Sequence, residues 1–132
     1  HYAERDADQV SEAVKALFQQ GRSISAVDYL GARDMQAVLR EALEPLFERF
    51  DAILTPAAPG EAPRDLETTG DPIFSTLWTF CGLPSVTLPL LTGENGMPIG
   101  VQLVGPHGQD AKLLRTARWL ARRCAANAEE SR

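Results

Sequence analysis

The stretch that most restricts the fold is FCGLPSVTLP at residues 80–89, where a short apolar run is bracketed by Gly82-Leu83-Pro84 and by Pro89. Glycine allows a tight turn and Pro84 fixes the entry dihedral, so this is a corner where a helix gives way to a strand. From Ser85 to Leu91, Val86, Leu88 and Leu90 alternate with Thr87, Pro89 and Leu91 in strand fashion. Pro89 has no amide hydrogen to donate, which places that strand at an edge or ends its pairing there. Gly93-Glu94-Asn95-Gly96 supplies residues that tolerate positive φ, and Ile99, Val101 and Leu103 then share one face of a strand over 98–104. Together they predict a hairpin.

The flanking segments are helical. Val10, Val14, Leu17 and Phe18 recur at three and four residues, predicting an amphipathic helix from Asp6 to about Gln20 with Gly21 as its stop. Ser25 and Asp28 resemble a capping box, and Val27, Leu30, Val38, Ala42, Leu46 and Phe50 form the apolar face of a second, long helix. Pro45 removes a backbone donor inside that pattern, so a kink or restart is expected near Glu44. Asp51 to Pro56 is a short apolar strand feeding a loop that contains Pro59 and Pro63. Asp71-Pro72 opens a short helix over 72–80. Gly105-Pro106 ends the hairpin, and Asp110 is expected to cap a last helix with Leu113, Ala117, Leu120 and Cys124 on its buried stripe and a frayed tail from Ala125. The fold class is α/β: a small mixed sheet with a β-hairpin packed by about four helices.

With 132 residues, 44% hydrophobic and 23% charged, the chain reads as a single globular unit over 1–132. A formal charge of -5 argues against a nucleic-acid partner, which would need a concentrated basic patch. No apolar run reaches the roughly 20 residues of a membrane span, and no basic-then-apolar leader opens the chain, so neither a membrane nor export is expected and a cytoplasmic location is. Cys81 and Cys124 show no CxxC or Cys/His spacing, which predicts packed, reduced thiols with neither a disulfide framework nor a zinc site, and Gly93-Glu94-Asn95-Gly96 is too short and too acidic to cradle a phosphate, so no cofactor is expected. His1 in place of methionine is what a tag remnant, or a chain cut from something longer, would show.

Reactive constellations are sparse. Cys81 with His107 could be drawn as nucleophile and base, but a cysteine closing a short apolar helix is better read as packed, and His107 between Pro106 and Gly108 as a loop residue. Asp65, Glu67 and Asp71 lie in a polar loop between Pro63 and Pro72 and do not read as a metal site. Arg115, Arg118, Arg122 and Arg123 read as the solvated face of the last helix.

The order of FDAILTPAAP, an intervening helix, WTFCGLPSVTLPL, MPIGVQLVGP and a closing helix resembles the C-terminal portion of the amidase signature family, most clearly from Phe50 through Leu120. The resemblance implies a sheet with helices on both sides and hydrolysis of carboxylic amides by a serine nucleophile, with a second serine in a cis peptide and a lysine relay. In the family those groups belong to an earlier Gly/Ser-rich region. Here Ser11, Ser23, Ser25, Ser75, Ser85 and Ser131 lie in no glycine-flanked turn, and Lys15 and Lys112 lie in amphipathic helices. No catalytic residue is therefore carried over, and residues 1–132 alone are expected to be inactive. The resemblance does imply substrate-binding positions at Phe74, Trp78 and Thr79, near the acyl and leaving-group pocket, with Thr79 standing where many members have Asn. The expectation is the C-terminal part of an amidase whose full-length form takes a small-molecule amide; the alternative is a non-catalytic module that binds a partner or itself. A sheet missing neighbours exposes apolar surface, so a homo-oligomer is expected.

Overall fold

The computed structural model describes residues 7–65, 68 and 70–130. His1, the predicted helix start at Asp6, Glu67 and Ser131 lie outside the described residues. The chain divides into two compact units, His1–Gln36 and Ala37–Arg132.

In the first unit a 3-10 turn at Ala7–Gln9 precedes α1 (Glu12–Ser23). Ser11 caps α1 by accepting from the Val14 amide at 3.4 Å. The helix continues through Gly21, the expected stop, because glycine inside a helix costs only about 1 kcal/mol; extended Ile24 ends it instead, donating its N–H to the Gly21 carbonyl. At the start of α2 (Ala26–Arg49), Asp28 donates its amide to Ser25 Oγ at 3.1 Å and accepts from that hydroxyl at 2.7 Å. Ser25 thus caps the helix as predicted, but aspartate, one methylene shorter than glutamate, holds the Ser25 hydroxyl rather than the Ser25 backbone N–H that completes a capping box.

Pro45 lies inside α2 without interrupting it, contrary to the expected restart: one lost hydrogen bond does not outweigh the bonds on either side, such as Phe50 N–H to the Leu46 carbonyl at 2.9 Å. In the second unit the packed stripe is Leu39, Leu43 and Phe47, whereas Val38, Leu46 and Phe50 are exposed. The two stripes are one residue, about 100°, apart on the helix. Arg40 selects between them, since its Nε donates to the Cys81 carbonyl at 3.0 Å and so turns that side of α2 inward.

The sheet has the order β1-β3-β2, with β1 (Ile53–Pro56) and β2 (Ser85–Thr92) both antiparallel to β3 (Pro98–Val104). Between β1 and β2 lies α3 (Ile73–Cys81), one residue from its predicted bounds. It ends in a Schellman motif: Gly82 is left-handed at φ 65°, and the Gly82 and Leu83 amides donate to the Thr79 and Trp78 carbonyls. Pro89 does not end pairing. It falls in a register shift between Leu88, opposite Val101, and Leu91, opposite Ile99, so an edge-strand bulge absorbs the missing donor and pairing resumes.

One face of the sheet packs Leu103, Val86 and Leu88 against Leu113, Ala117 and Leu120 of α4 (Asp110–Glu130); the other buries Val104 with Cys81, Leu83 and Trp78. Asp110 is the first residue of α4 rather than its cap. The Gln109 carbonyl receives the Lys112 and Leu113 amides, and Asp110 places negative charge in the first turn, where the helix dipole favours it. The expected frayed tail from Ala125 is helical to Glu130. Leu113 is 2% exposed and its neighbour Leu114 58%. Leu113→Ala is expected to cost about 2–5 kcal/mol in urea unfolding and Leu114→Ala less than about 0.5 kcal/mol.

Candidate functional site

The residues after β1 run back along β3. Ala57 N–H donates to the Gly100 carbonyl at 3.0 Å and Ala62 N–H to the Pro98 carbonyl at 2.9 Å, so the proline-rich loop is strapped to the hairpin. Between loop and hairpin lies an open cleft of about 510 Å³. Its walls are the loop from Ala57 to Pro63, Gly70 and Asp71 ahead of α3, and Thr87, Pro89, Pro98 and Gly100 of the hairpin. The lining is mostly alanine, proline and glycine, which suits a small apolar group, with the carboxylates of Glu61 and Asp71 at its edge.

Beside the cleft, on the sheet face that carries Val104, a polar ladder ties the elements together. Gln102 is 3% exposed in an otherwise apolar stretch of β3. Its Oε1 accepts from Thr55 Oγ1 of β1 at 3.1 Å, and its Nε2 donates to Ser75 Oγ of α3 at 3.3 Å. A buried amide left unpaired would be costly, so both ends are engaged, and the end of β1 and the start of α3 are fixed relative to each other. Asp71 Oδ1 accepts the Ile73 amide at 2.9 Å, setting where α3 begins.

These groups hold the elements around the cleft in place, and among the described residues they do not form a relay. Ser11 and Ser25 cap helices, Ser23 donates to the Gln20 carbonyl, and Ser75 accepts from Gln102. Lys15 pairs with Glu12 at 2.6 Å and Lys112 with Asp51 at 3.2 Å. Cys81 is fully buried, so its thiol is closed to substrate, whereas His107 is exposed. Arg115, Arg118, Arg122 and Arg123 are exposed on α4. Among the described residues no group of three or more His, Cys, Asp or Glu is placed to hold a metal ion. Nor is any described helix long and apolar enough to cross a membrane.

The model of the amidase family matches residues 1–114. The chain belongs to that family. A glutamyl-tRNA(Gln) amidotransferase subunit from Agathobacter rectalis is 35% identical over 96 residues, which take in 67% of this chain and 19% of that protein. The corresponding subunit from Neisseria meningitidis is 36% identical over 95 residues, 67% of this chain and 20% of its own length. A solved amidase structure superposes with a TM-score of 0.76 at 28% identity, covering 92% of this chain and 30% of that one. A 6-aminohexanoate cyclic dimer hydrolase solved with its substrate shares the fold, with a TM-score of 0.60 at 21% identity over 81% of this chain and 26% of its own. The chain therefore spans about a fifth of the length of the curated amidase-family relatives it matches.

Of the three positions that the family resemblance singles out, Trp78 packs against the Cys81, Leu83 and Val104 cluster, while Phe74 and Thr79 are exposed on α3. None of the three lines the cleft described above. Sequence reading passed over Gln102 and Glu61. The signal for Gln102 was present, as a polar residue among Val101, Leu103 and Val104 in a central strand. Gln102→Leu is expected to lower stability by about 1–3 kcal/mol by stranding the half-buried Thr55 and Ser75 hydroxyls. Adding Thr55→Val should cost less than the sum of the two single changes in a urea double-mutant cycle.

Proposed function

We propose that this chain is the C-terminal part of an amidase-family hydrolase that cleaves the carboxylic amide bond of a small molecule, with nucleophile and relay supplied by other residues of the protein. One observation carries the reading. α3 carries a broad apolar arc of Ile73, Phe74, Leu77, Trp78, Phe80 and Cys81, with Ser75, Thr76 and Thr79 on the remaining side; of the arc only Trp78 and Cys81 turn into the core, leaving Ile73 60%, Phe74 37%, Leu77 42% and Phe80 36% exposed. An apolar arc wider than the core it packs on is built to be covered by further chain. On this reading Phe74 and Thr79 meet the substrate from either flank of Trp78 on α3, and the cleft beside the proline-rich loop supplies an apolar binding wall. The two free thiols, Cys81 and Cys124, fit a reducing cytoplasm.

The test follows ammonia release from a panel of small primary amides. Residues 1–132 should release none, whereas the protein read from the same frame extended upstream should release it well above background. Turnover by residues 1–132 alone overturns the assignment of the nucleophile to other residues. A start codon directly before His1 overturns the hydrolase reading for this gene product.

The same exposed face of α3 supports self-association, since a second copy would cover Ile73, Leu77 and Phe80. Sedimentation of residues 1–132 is expected to show a concentration-dependent dimer or larger species, which Leu77→Glu returns to monomer. A monomer at every concentration overturns self-association of residues 1–132 through this face.

A further inference from the structure

Glu61 is a half-buried carboxylate of the cleft's loop wall whose acceptors are directed at the hairpin turn. Its two oxygens accept from the Asn95 amide at 3.3 and 3.2 Å, Oε2 accepts from the Met97 amide at 3.2 Å, and Asn95 Nδ2 donates to Oε1. An anion holding two backbone N–H groups and a side-chain amide is a charge-assisted clamp, stronger than neutral hydrogen bonds of the same number. Gly93 makes room for it, because a Cβ at that position would overlap the Glu61 carboxyl group. Arg64 Nη2 donates to the Asn95 carbonyl, and the Ala62 to Pro98 backbone bond lies between these two contacts. The loop is thus tied to the turn at Glu61, Ala62 and Arg64.

The clamp is not needed to close the hairpin. The turn has its own bonds, Gly93 N–H to the Met97 carbonyl at 2.8 Å and Gly96 N–H to the Gly93 carbonyl at 3.0 Å. What the clamp adds to the two backbone bonds is a side-chain tie that holds Glu61, and with it the loop wall of the cleft, against the end of the hairpin whose Pro98 and Gly100 form the facing wall. We propose that Glu61 is a specificity-determining positioning residue: by clamping the 93–97 turn it sets how large an apolar acyl group the cleft admits. This rests on the reading of the cleft as an amide-binding wall. Glu61→Ala releases the wall, Glu61→Asp draws the carboxylate back by one methylene, and Gly93→Ala ejects an intact carboxylate from its nest.

The experiment uses the protein read from the same frame extended upstream, with backbone hydrogen exchange followed by NMR and binding of two probes, isobutyramide and cyclohexanecarboxamide, followed in the same spectra. Glu61→Ala and Gly93→Ala should each speed exchange at Asn95 and Met97 by about tenfold while leaving Leu103 and Val104 unchanged, with Glu61→Asp intermediate. The preference for the smaller amide should fall severalfold in step with that exchange. Unchanged exchange at Asn95 and Met97 overturns the clamp. Faster exchange with an unchanged preference overturns its role in specificity alone. Wild-type protein that binds neither amide overturns the cleft as a substrate wall, and with it this inference.

Discussion

β3 has a hydrogen-bonded neighbour on each side, and the rest of the second unit depends on it. Its alternation sends Leu103 into the core under α4 and Val104 into the core shared with α2 and α3. Both residues are almost completely buried, so a one-residue slip would exchange the two cores and put Gln102 where Leu103 must be. The functional elements hang from the same strand. Ala57 and Ala62 bond to its Gly100 and Pro98 carbonyls, and Gln102 links β1 to α3 across it. Cleft geometry is therefore a consequence of β3 register.

What could be read from sequence is what local chemistry decides. The hairpin was legible because alternation and a turn that tolerates positive φ agree with each other, and the α3 corner because Gly82 and Pro84 leave few alternatives. The failures share a cause: each depended on a contact distant in the chain or on a balance among several bonds. Periodicity offered two stripes on α2, and a bond from Arg40 to a carbonyl 41 residues away chose between them. Gly21 and Pro45 looked like stops because each is unfavourable alone, but helical cooperativity absorbs a single defect. Pro89 leaves an edge position and a strand end both open, and the bulge that restores pairing depends on what β3 presents opposite it.

The site was legible only in part, for the same reason. A proline-rich loop leaving a strand end marks a place where function gathers. That this loop forms one wall of a cleft against the hairpin follows from bonds spanning 34 to 36 residues, which no local pattern encodes. The polar side chains described around the cleft hold the fold together rather than one another's protons. Ser75 and Thr55 are held by Gln102, and both lysines by carboxylates. Those hydroxyls and amines already have structural partners, and a nucleophile with its base would need groups free to face a substrate.

Loop composition makes the carboxylate clamp intelligible. Pro56, Pro59 and Pro63 remove backbone donors from a short segment, so the loop cannot bind itself to the hairpin by a regular ladder. Among the described residues of the loop, the Ala57 and Ala62 amides are the ones that reach β3 carbonyls. The proline rings stiffen the loop, and stiffness without attachment would leave a rigid flap moving as a body. Attachment has to come from side chains, and the turn it meets offers backbone N–H groups at Asn95 and Met97. An acceptor is required there, and a carboxylate provides two oxygens in one plane for donors on adjacent parts of a turn. Glutamate at 61 and glycine at 93 are thus two halves of one feature: the first provides the acceptors, and the second leaves the space they occupy.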